Sequence, residues 1–262
     1  MHVNAETAGP LLITIAGRKG GVGKTTTALN LAGALSERGD RVLLVDLDPQ
    51  ASLTRVLLAE EASGLHGIGG RMLEPQLGVG NLVRPVWANI DIVPGDASID
   101  ATAAALAQNP TYHHRLRSLL SSVPGYAYVI LDTPPSLGFA LNAALLATHV
   151  AILPTELTQQ DLDALDDTLL PLERLAPQQA ARLCAIVPSR VGNNNHDLEG
   201  VQALRNAYGD VVADPVPQAV AVKRATNQGM SVVQYDPLGA PALAYRSLAD
   251  RVRKERSCSH GH

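Results

Sequence analysis

The chain has 262 residues, a net charge of −4 and a hydrophobic content of 46%, with few aromatic residues. This length allows one large α/β domain or two small ones, and the composition can supply a buried core. The negative charge excludes a surface that is uniformly basic for nucleic-acid binding, and only a local basic patch remains compatible with it.

Short apolar runs alternate with amphipathic stretches along the chain, and this alternation predicts strands and helices in turn. Strands are predicted at residues 11–16, 41–46, 90–93, 126–132, 149–153 and 182–187. Helices are predicted at residues 24–37, 97–107, 112–121, 159–175, 198–208 and 240–253. The continuous apolar character of the strand at 126–132 is typical of a parallel sheet covered on both faces. The pattern therefore predicts an α/β fold with one doubly wound, mostly parallel sheet and helices on both faces.

The same pattern predicts a single domain at residues 10–254, preceded by a short extension at residues 1–9. Residues 61–80 are rich in glycine and lack periodicity, so they are predicted to form a surface excursion. Residues 255–262 are polar and are predicted to form a disordered tail. The sequence has no run of about 18 apolar residues, no secretory signal at its start, and two cysteines that lie far apart. We therefore expect no membrane span and a cytoplasmic location.

A glycine-rich loop follows the first predicted strand and opens the first predicted helix. It reads GGVGKT at residues 20–25, the composition and context of a phosphate-binding loop. Glycines let backbone N–H groups turn toward phosphate oxygens, and the helix amino terminus adds partial positive charge. Lys24 is expected to reach the β- and γ-phosphates, and the Thr25 hydroxyl to bind Mg²⁺. The loop departs from the standard pattern at Arg18, where a glycine is usual, and it adds a second lysine, Lys19.

Three carboxylates come at the ends of predicted strands. Asp46 and Asp48 lie in the segment DLDPQ at the end of the second strand, and Asp132 ends the strand YAYVILD. Because ligands of open α/β sheets bind beyond the carboxyl ends of the strands, these acids are expected to converge on the loop. Asp132 is expected to hold the Mg²⁺ shell, and one of Asp46 and Asp48 to orient the attacking water.

The nucleotide is predicted to be ATP. Guanine-specific proteins with this loop usually carry an Asn-Lys-x-Asp segment that recognises the base, and no Asn-Lys pair occurs in the chain. ATP and Mg²⁺ are therefore the expected cofactors, and hydrolysis of ATP to ADP and phosphate is the expected reaction.

Three segments resemble the deviant Walker-A ATPases and, among these, the small ParA/Soj partition ATPases. The segments are KGGVGKTT at residues 19–26, DLDPQ at 46–50 and VILDTPP at 129–135. The resemblance spans residues 11–253, and its later part includes Gly229 and the segment YDP at 235–237.

This resemblance implies that two copies enclose ATP between them, with Lys19 reaching the phosphates bound by the other copy. It also implies that Asp48 positions the attacking water, which leaves Asp46 with Thr25 and Asp132 in the expected metal-binding set. The expected catalytic residues are Lys19, Lys24 and Asp48. The residues expected to contact the nucleotide are Lys19, Gly20, Gly21, Val22, Gly23, Lys24, Thr25, Thr26 and Pro217.

The resemblance further implies a function in partition over the nucleoid. The ATP-bound homodimer of this family binds double-stranded DNA without sequence preference, and a ParB-like protein stimulates hydrolysis, so that plasmid, chromosome or other cargo is moved. DNA contacts are expected at Arg190, Lys223 and Arg224, although Ala221 stands near the position of a second family arginine. No membrane contact is expected, because the basic residues at 251–256 precede the segment SCSH and not a bulky apolar face.

Two alternatives stay open from the sequence. One is a scaffold that binds ATP and dimerises with negligible turnover, and the presence of Asp48 argues against it. The other is a metabolic ATP-dependent ligase of the same fold, which needs a small-molecule acceptor and no DNA.

Overall fold

The apolar runs of the chain pair side by side as the strands of one eight-stranded sheet. The computed structural model describes residues 9–62, 64–106, 112–121, 123–135, 138–174 and 181–259. In chain order the strands are β1 (Leu11–Ile15), β2 (Val42–Asp46), β3 (Arg84–Trp87), β4 (Ile90–Val93), β5 (Tyr128–Asp132), β6 (Val150–Thr155), β7 (Arg182–Val191) and β8 (Val216–Pro217). Across the sheet they lie in the order β3–β4–β2–β5–β1–β6–β7–β8. Neighbours are parallel except for β3 and β4, which are antiparallel.

The central strands are in register at their carboxyl ends. Strand β5 pairs with both β1 and β2, so that Asp132 lies opposite Ile15 on one side and opposite Asp46 on the other. Parallel strands direct their carboxyl ends to the same edge of a sheet. The loop that follows β1 therefore lies at the same edge as the acids that end β2 and β5.

Helices cover both faces of the sheet. They are α1 (Lys24–Ser36), α2 (Ser52–Leu58), α3 (Ile68–Leu73), α4 (Ser98–Leu106), α5 (Tyr112–Ser121), α6 (Phe139–Ala147), α7 (Gln159–Arg174), α8 (Asn195–Tyr208), α9 (Val220–Asn227), α10 (Val232–Tyr235) and α11 (Ala240–Ser259). Because side chains alternate along a strand, Leu11 and Ile13 pack in a core with α1 and α11, whereas Leu12 packs in a second core with α4, α5 and α6. The predicted fold class is confirmed.

The prediction of a surface excursion at residues 61–80 is wrong for part of that range. Helix α3 lies within it, and Ile68 and Met72 are buried in the core that also holds α4. The packing depends on a glycine, because a side chain at Gly69 would meet the backbone nitrogen of Ile99 at 2.6 Å. Two buried apolar side chains in a six-residue helix are too few to produce a periodic signal in the sequence.

The prediction of a disordered tail from residue 255 is also wrong, since α11 continues to Ser259. Its last turns are held by side chains that contact the sheet. Glu255 Oε2 accepts from Arg182 at 2.9 Å, and the Arg256 guanidinium lies 5.4 Å from the centre of the Tyr128 ring. Residues 1–8 and 260–262 of the predicted termini lie outside the described residues. No described helix has both the length and the apolar character needed to cross a membrane.

The sequence patterns missed elements that are short or apolar on every side: α2, α3, α6, α9, α10, β3 and β8. Helix α6 reads FALNAALLA, and both Leu141 and Leu145 are fully buried. A helix enclosed in this way shows no polar face, so the amphipathic period that identifies surface helices is absent.

Helix α1 packs closely against the start of α10. The Asn30 side chain accepts a hydrogen bond from the backbone N–H of Val232 at 2.6 Å through Oδ1, and its Nδ2 donates to the carbonyl of Thr26 at 2.7 Å. Ser231 lies against Gly33, where a Cβ atom would come within 2.5 Å of the serine Cβ. The helix that follows the glycine-rich loop is thus fixed to the late part of the chain.

We predict that Gly33→Ala destabilises the protein by about 1–3 kcal/mol, the usual cost of adding a methyl group to a well-packed interior. Gly70→Ala is the matched control, because nothing lies within 4 Å of a Cβ built at that helical glycine. It should be neutral or stabilising by up to about 1 kcal/mol through helix propensity. Urea unfolding followed by circular dichroism measures both, and equal stability of the two variants would show that the α1–α10 contact has room for a side chain.

Candidate functional site

The glycine-rich loop connects the buried strand β1 to the amino terminus of α1. Gly21 and Gly23 have φ angles of 85° and 96°, a region that residues with a side chain rarely adopt. Gly23 immediately precedes Lys24, the first residue of α1. The loop therefore turns sharply and presents the unpaired N–H groups of a helix amino terminus, which favour an anion.

Lys24 is buried and its ammonium closes the loop. Its Nζ donates to the carbonyl oxygen of Lys19 at 3.0 Å. Burial lowers the pKa of Lys24, while the nearby carboxylates of Asp132 and Asp48 oppose that shift. The buried ammonium in a glycine-rich turn favours an anionic ligand. The two nearby carboxylates favour a ligand that brings a divalent cation with it.

Thr25 and Asp132 form a pair at the start of α1 and the end of β5. The Thr25 hydroxyl donates to Asp132 Oδ2 at 2.6 Å. Burial, and next the charge of Asp46, raise the pKa of Asp132 to about 8. Among the described residues, Asp132 Oδ1 is buried without a hydrogen-bond partner. A half-buried hydroxyl and an unsatisfied carboxylate oxygen fit the hard oxygen ligands that Mg²⁺ prefers.

The protein alone does not form a complete metal cage at this site. Among the residues that the structure describes, no group of three or more His, Cys, Asp or Glu side chains is arranged to hold a metal ion. Mg²⁺ is commonly bound through one or two protein ligands together with nucleotide phosphates. Thr25 and Asp132 fit that arrangement.

Asp46 lies beside Asp132 but its oxygens are already engaged. Oδ2 accepts from the backbone N–H of Thr54 at 2.9 Å and from the Thr54 hydroxyl at 2.7 Å, and Oδ1 accepts from the N–H of Asp48 at 3.0 Å. Asp46 is fully buried, and this burial raises its pKa. The geometry favours a role in holding the turn after β2 over the direct metal ligation expected from the sequence.

Asp48 lies in that turn and is half-buried. Its Oδ1 accepts from the backbone N–H of Gln50 at 2.9 Å, and its carbonyl accepts from Ala51 at 2.8 Å. Ala51 has a φ angle of 50° and precedes α2. The Asp48 charge acts on both Lys24 and Asp132, so the structure brings the three predicted groups into one electrostatic environment.

Lys19 is held within its own chain. Its Nζ lies 2.8 Å from Asp161 Oδ1, in the first turn of α7. The neighbouring residue Arg18 forms an ion pair with Asp167, one helical turn and a half further along α7. Both basic residues that begin the loop therefore contact the same helix.

A cleft of about 860 Å³ opens beside the loop. Residues of the loop, of α1, of β7 and the turn after it, of β8, of α9 and of α11 line it. Among them are Gly23, Thr26, Asn193, Pro217, Lys223 and Tyr245. The predicted nucleotide contact Pro217 thus lies at the same cleft as the end of the phosphate loop. The volume of the cleft is in the range of small-molecule binding sites.

The predicted DNA contacts do not form a separate patch. Arg190 and Lys223 both line the cleft beside the loop. Arg190 lies at a bulge in β7 with a φ angle of 55°, and its Nη1 donates to Glu156 Oε1 at 2.7 Å. Arg224 is exposed on α9 and is not among the residues that line the cleft.

Sequence reasoning missed two residues that organise the site. Thr54 fixes Asp46, and its hydroxyl also accepts from the backbone N–H of Gly95 at 3.0 Å, which joins the turns after β2 and β4. Asp161 pairs with Lys19 from a helix about 140 residues along the chain. Neither lies in a recognisable motif, so only the fold could bring them to the loop.

Comparisons with known proteins find relatives that span almost the whole chain. A family model described as an AAA domain matches residues 11–183. The chain is 32% identical over 253 residues to the chromosome partitioning protein ParA of Caulobacter vibrioides, covering 94% of this chain and 95% of that protein. It is 35% identical over 245 residues to the chromosome-partitioning ATPase Soj of Thermus thermophilus, covering 92% and 94%. The solved structure of Cyanothece McdA with ATP has a TM-score of 0.84 at 20% identity, over 94% and 97% of the two chains.

The raised pKa of Asp132 predicts how the stability of the nucleotide-free protein depends on pH. The folded carboxyl, with a pKa of about 8, binds its proton more tightly than the unfolded one. The folded state therefore holds an extra proton between about pH 4 and pH 8, and the free energy of unfolding falls as pH rises through that interval. Asp132→Asn removes this titration and should be less sensitive to pH and more stable than wild type at pH 8.

Urea unfolding between pH 5 and pH 8 measures the difference. The control is Asp100→Asn, which changes an exposed carboxylate in the first turn of α4 and should keep the wild-type pH dependence. Parallel curves for wild type and Asp132→Asn would contradict the assignment of the raised pKa to Asp132.

Proposed function

The chain belongs to the ParA/MinD family of partition ATPases, and we propose that it hydrolyses ATP in a cycle that drives DNA or cargo partition. The observation that carries the proposal is the buried Lys24 in its glycine-rich loop, adjacent to the Thr25–Asp132 pair. A cation and a hydroxyl at a helix amino terminus, beside a carboxylate at the end of β5, match the requirements of a nucleoside triphosphate with its Mg²⁺. The relatives that are named as chromosome-partitioning proteins support a role of this cycle in partition.

In this proposal the loop binds the phosphates and the adjoining cleft takes the nucleoside. Lys24 exchanges its contact with the Lys19 carbonyl for the phosphate oxygens, because a charged acceptor binds an ammonium more strongly than a carbonyl does. Gly23 and Thr26, at the end of the loop, line the cleft together with Pro217. One nucleotide thereby spans the two parts of the site.

Thr25 and Asp132 are proposed to hold Mg²⁺ when the nucleotide is bound. The bound ion supplies charge neutralisation at the β- and γ-phosphates. Next to it, Asp132 would lose the proton that its raised pKa retains in the nucleotide-free protein. Asp46 then serves as a fixed support, since its contacts with Thr54 and with the Asp48 backbone hold the turn in place.

Asp48 is proposed to orient the attacking water. It is half-buried, carried on a turn that Asp46 fixes, and close enough to Lys24 to influence its pKa. A carboxylate at this place can accept a proton from water and direct its lone pair toward the phosphorus. The scaffold without turnover is disfavoured by this arrangement.

The finer parts of the cycle follow the family resemblance. We propose an ATP-dependent homodimer in which Lys19 contacts the nucleotide of the second copy, non-specific binding to double-stranded DNA, and a ParB-like activator. Arg190, Lys223 and Arg224 remain the proposed DNA contacts. The positions of Arg190 and Lys223 at the cleft support coupling of DNA binding to the nucleotide.

We predict that Asp48→Ala reduces ATP hydrolysis by at least about 100-fold, the usual contribution of a proton-accepting side chain. ATP affinity should stay within about threefold of wild type, because the carboxylate acts only when water attacks. Lys24→Ala is the contrasting variant and should lose at least tenfold in affinity through the lost charge-assisted contact, worth about 1.5–3 kcal/mol. Phosphate release and titration calorimetry measure the two effects. Wild-type turnover in Asp48→Ala would assign the water to another group.

We predict that DNA binding requires ATP, ignores sequence and weakens steeply with salt, because a dimer doubles the number of phosphate contacts. Arg224→Glu should lower affinity by at least about tenfold without changing ATP affinity. Lys254→Glu makes the same charge change at an exposed position of α11 and is the control. Fluorescence anisotropy with an unrelated duplex at several salt concentrations measures both. Equal DNA affinity with and without ATP would contradict nucleotide gating.

A further inference from the structure

We propose that Asp161 is a positioning residue for Lys19, which it holds within its own subunit and releases to a second copy only when ATP compensates for the lost ion pair. The inference rests on the proposed function, because it concerns the lysine that is assigned there to the other subunit's nucleotide. Asp161, which lies on α7 outside the segments that identify the family, would thereby influence how readily two copies dimerise.

The carboxylate of Asp161 is enclosed, and one of its oxygens takes part in an ion pair while the other accepts a hydrogen bond. Its side chain has 0% exposure, whereas that of Lys19 has 37%. Lys19 Nζ lies 2.8 Å from Oδ1, and the Thr158 hydroxyl donates to Oδ2. Among the described residues, Lys19 is the cation paired with this carboxylate. A buried acid is thus neutralised by a lysine that reaches it from the solvent side.

In this arrangement Asp161 of the same copy competes for Lys19 with the nucleotide bound to the second copy. When Lys19 turns toward another copy, a fully enclosed carboxylate loses its cation, and leaving one charge of a buried pair uncompensated is strongly unfavourable. Partial exposure of the lysine reduces this cost without removing it. The phosphates of a bound nucleotide must therefore attract Lys19 more strongly than Asp161 does, so the pair opposes dimerisation until ATP is present.

A purely local role for Asp161 predicts something different. Asp161 also lies in the first turn of α7, where its backbone N–H donates to the Thr158 carbonyl at 2.9 Å. A carboxylate there can stabilise the helix through its dipole without any effect on Lys19. Asp161→Asn keeps the size of the side chain and removes its charge, so it removes both the dipole contribution and the attraction for Lys19. The readout separates the two roles, because only the attraction for Lys19 alters the reactivity of that lysine and the dimerisation.

The chain offers a matched control on the same helix. Asp167 forms an ion pair with Arg18, the residue next to Lys19. Asp167→Asn therefore also removes one ion pair between the loop and α7, but it leaves the Lys19–Asp161 pair in place. If loosening of the loop were sufficient, the two variants would behave alike.

The first measurement uses nucleotide-free protein and reports on Lys19 directly. Amine acetylation followed by mass spectrometry gives the rate at Lys19 relative to the exposed Lys223 in the same molecule. We expect this ratio to rise at least about threefold in Asp161→Asn, since an ion-paired amine is less reactive, and to stay unchanged in Asp167→Asn. An unchanged ratio in folded Asp161→Asn would overturn the proposal.

The second measurement is the dimer dissociation constant in sedimentation with a non-hydrolysable ATP analogue. Two pairs are broken per dimer, so Asp161→Asn should lower this constant by at least about tenfold, and Asp167→Asn by much less. A wild-type dimer with an unchanged constant in Asp161→Asn overturns the inference alone. Failure of the wild type to dimerise overturns the proposed function as well. If circular dichroism shows that Asp161→Asn does not fold, Asp161→Ser provides another neutral, polar side chain at the helix start.

Discussion

The structure depends on two acidic side chains that are buried at the carboxyl ends of the adjacent parallel strands β2 and β5. Asp132 and Asp46 end neighbouring strands in direct register, and both are enclosed. Two buried carboxylates side by side are unfavourable unless donors or cations satisfy them. Thr25 and Lys24 of α1, together with Thr54 of α2, provide this compensation. The site is therefore a requirement of the fold as well as a candidate place for chemistry.

The two carboxylates are compensated in different ways, and this difference divides their roles. Asp46 receives one hydrogen bond from its own turn and two from Thr54 in α2, and it thereby holds that turn in place. Asp132 receives one, from Thr25, and retains an oxygen that is buried without a partner among the described residues. An unsatisfied buried acceptor is costly in the free protein. Asp132 Oδ1 is therefore available to bind a cation that enters the site with a nucleotide.

The loop is connected to distant parts of the chain through α1 and α7. Asn30 and Gly33 fix α1 to α10, and the region between β7 and α9 completes the cleft beside the loop. Arg18 and Lys19 contact α7 through two ion pairs. A change at the phosphates can thus be transmitted both to the cleft wall, where Arg190 and Lys223 lie, and to α7. Rigid helices with close side-chain contacts are a physical basis for such coupling.

The sequence by itself determined the alternation of strands and helices, the phosphate loop and the three acids at strand ends, because these follow from periodicity and from short contiguous motifs. It failed at α3 and at the end of α11, where a few contacts stabilise segments that lack a pattern. Only the tertiary structure separated Asp46 from Asp132, and only it paired Lys19 with Asp161. Such distinctions arise from hydrogen bonds and ion pairs between residues far apart in the chain, and no local pattern of residue types encodes them.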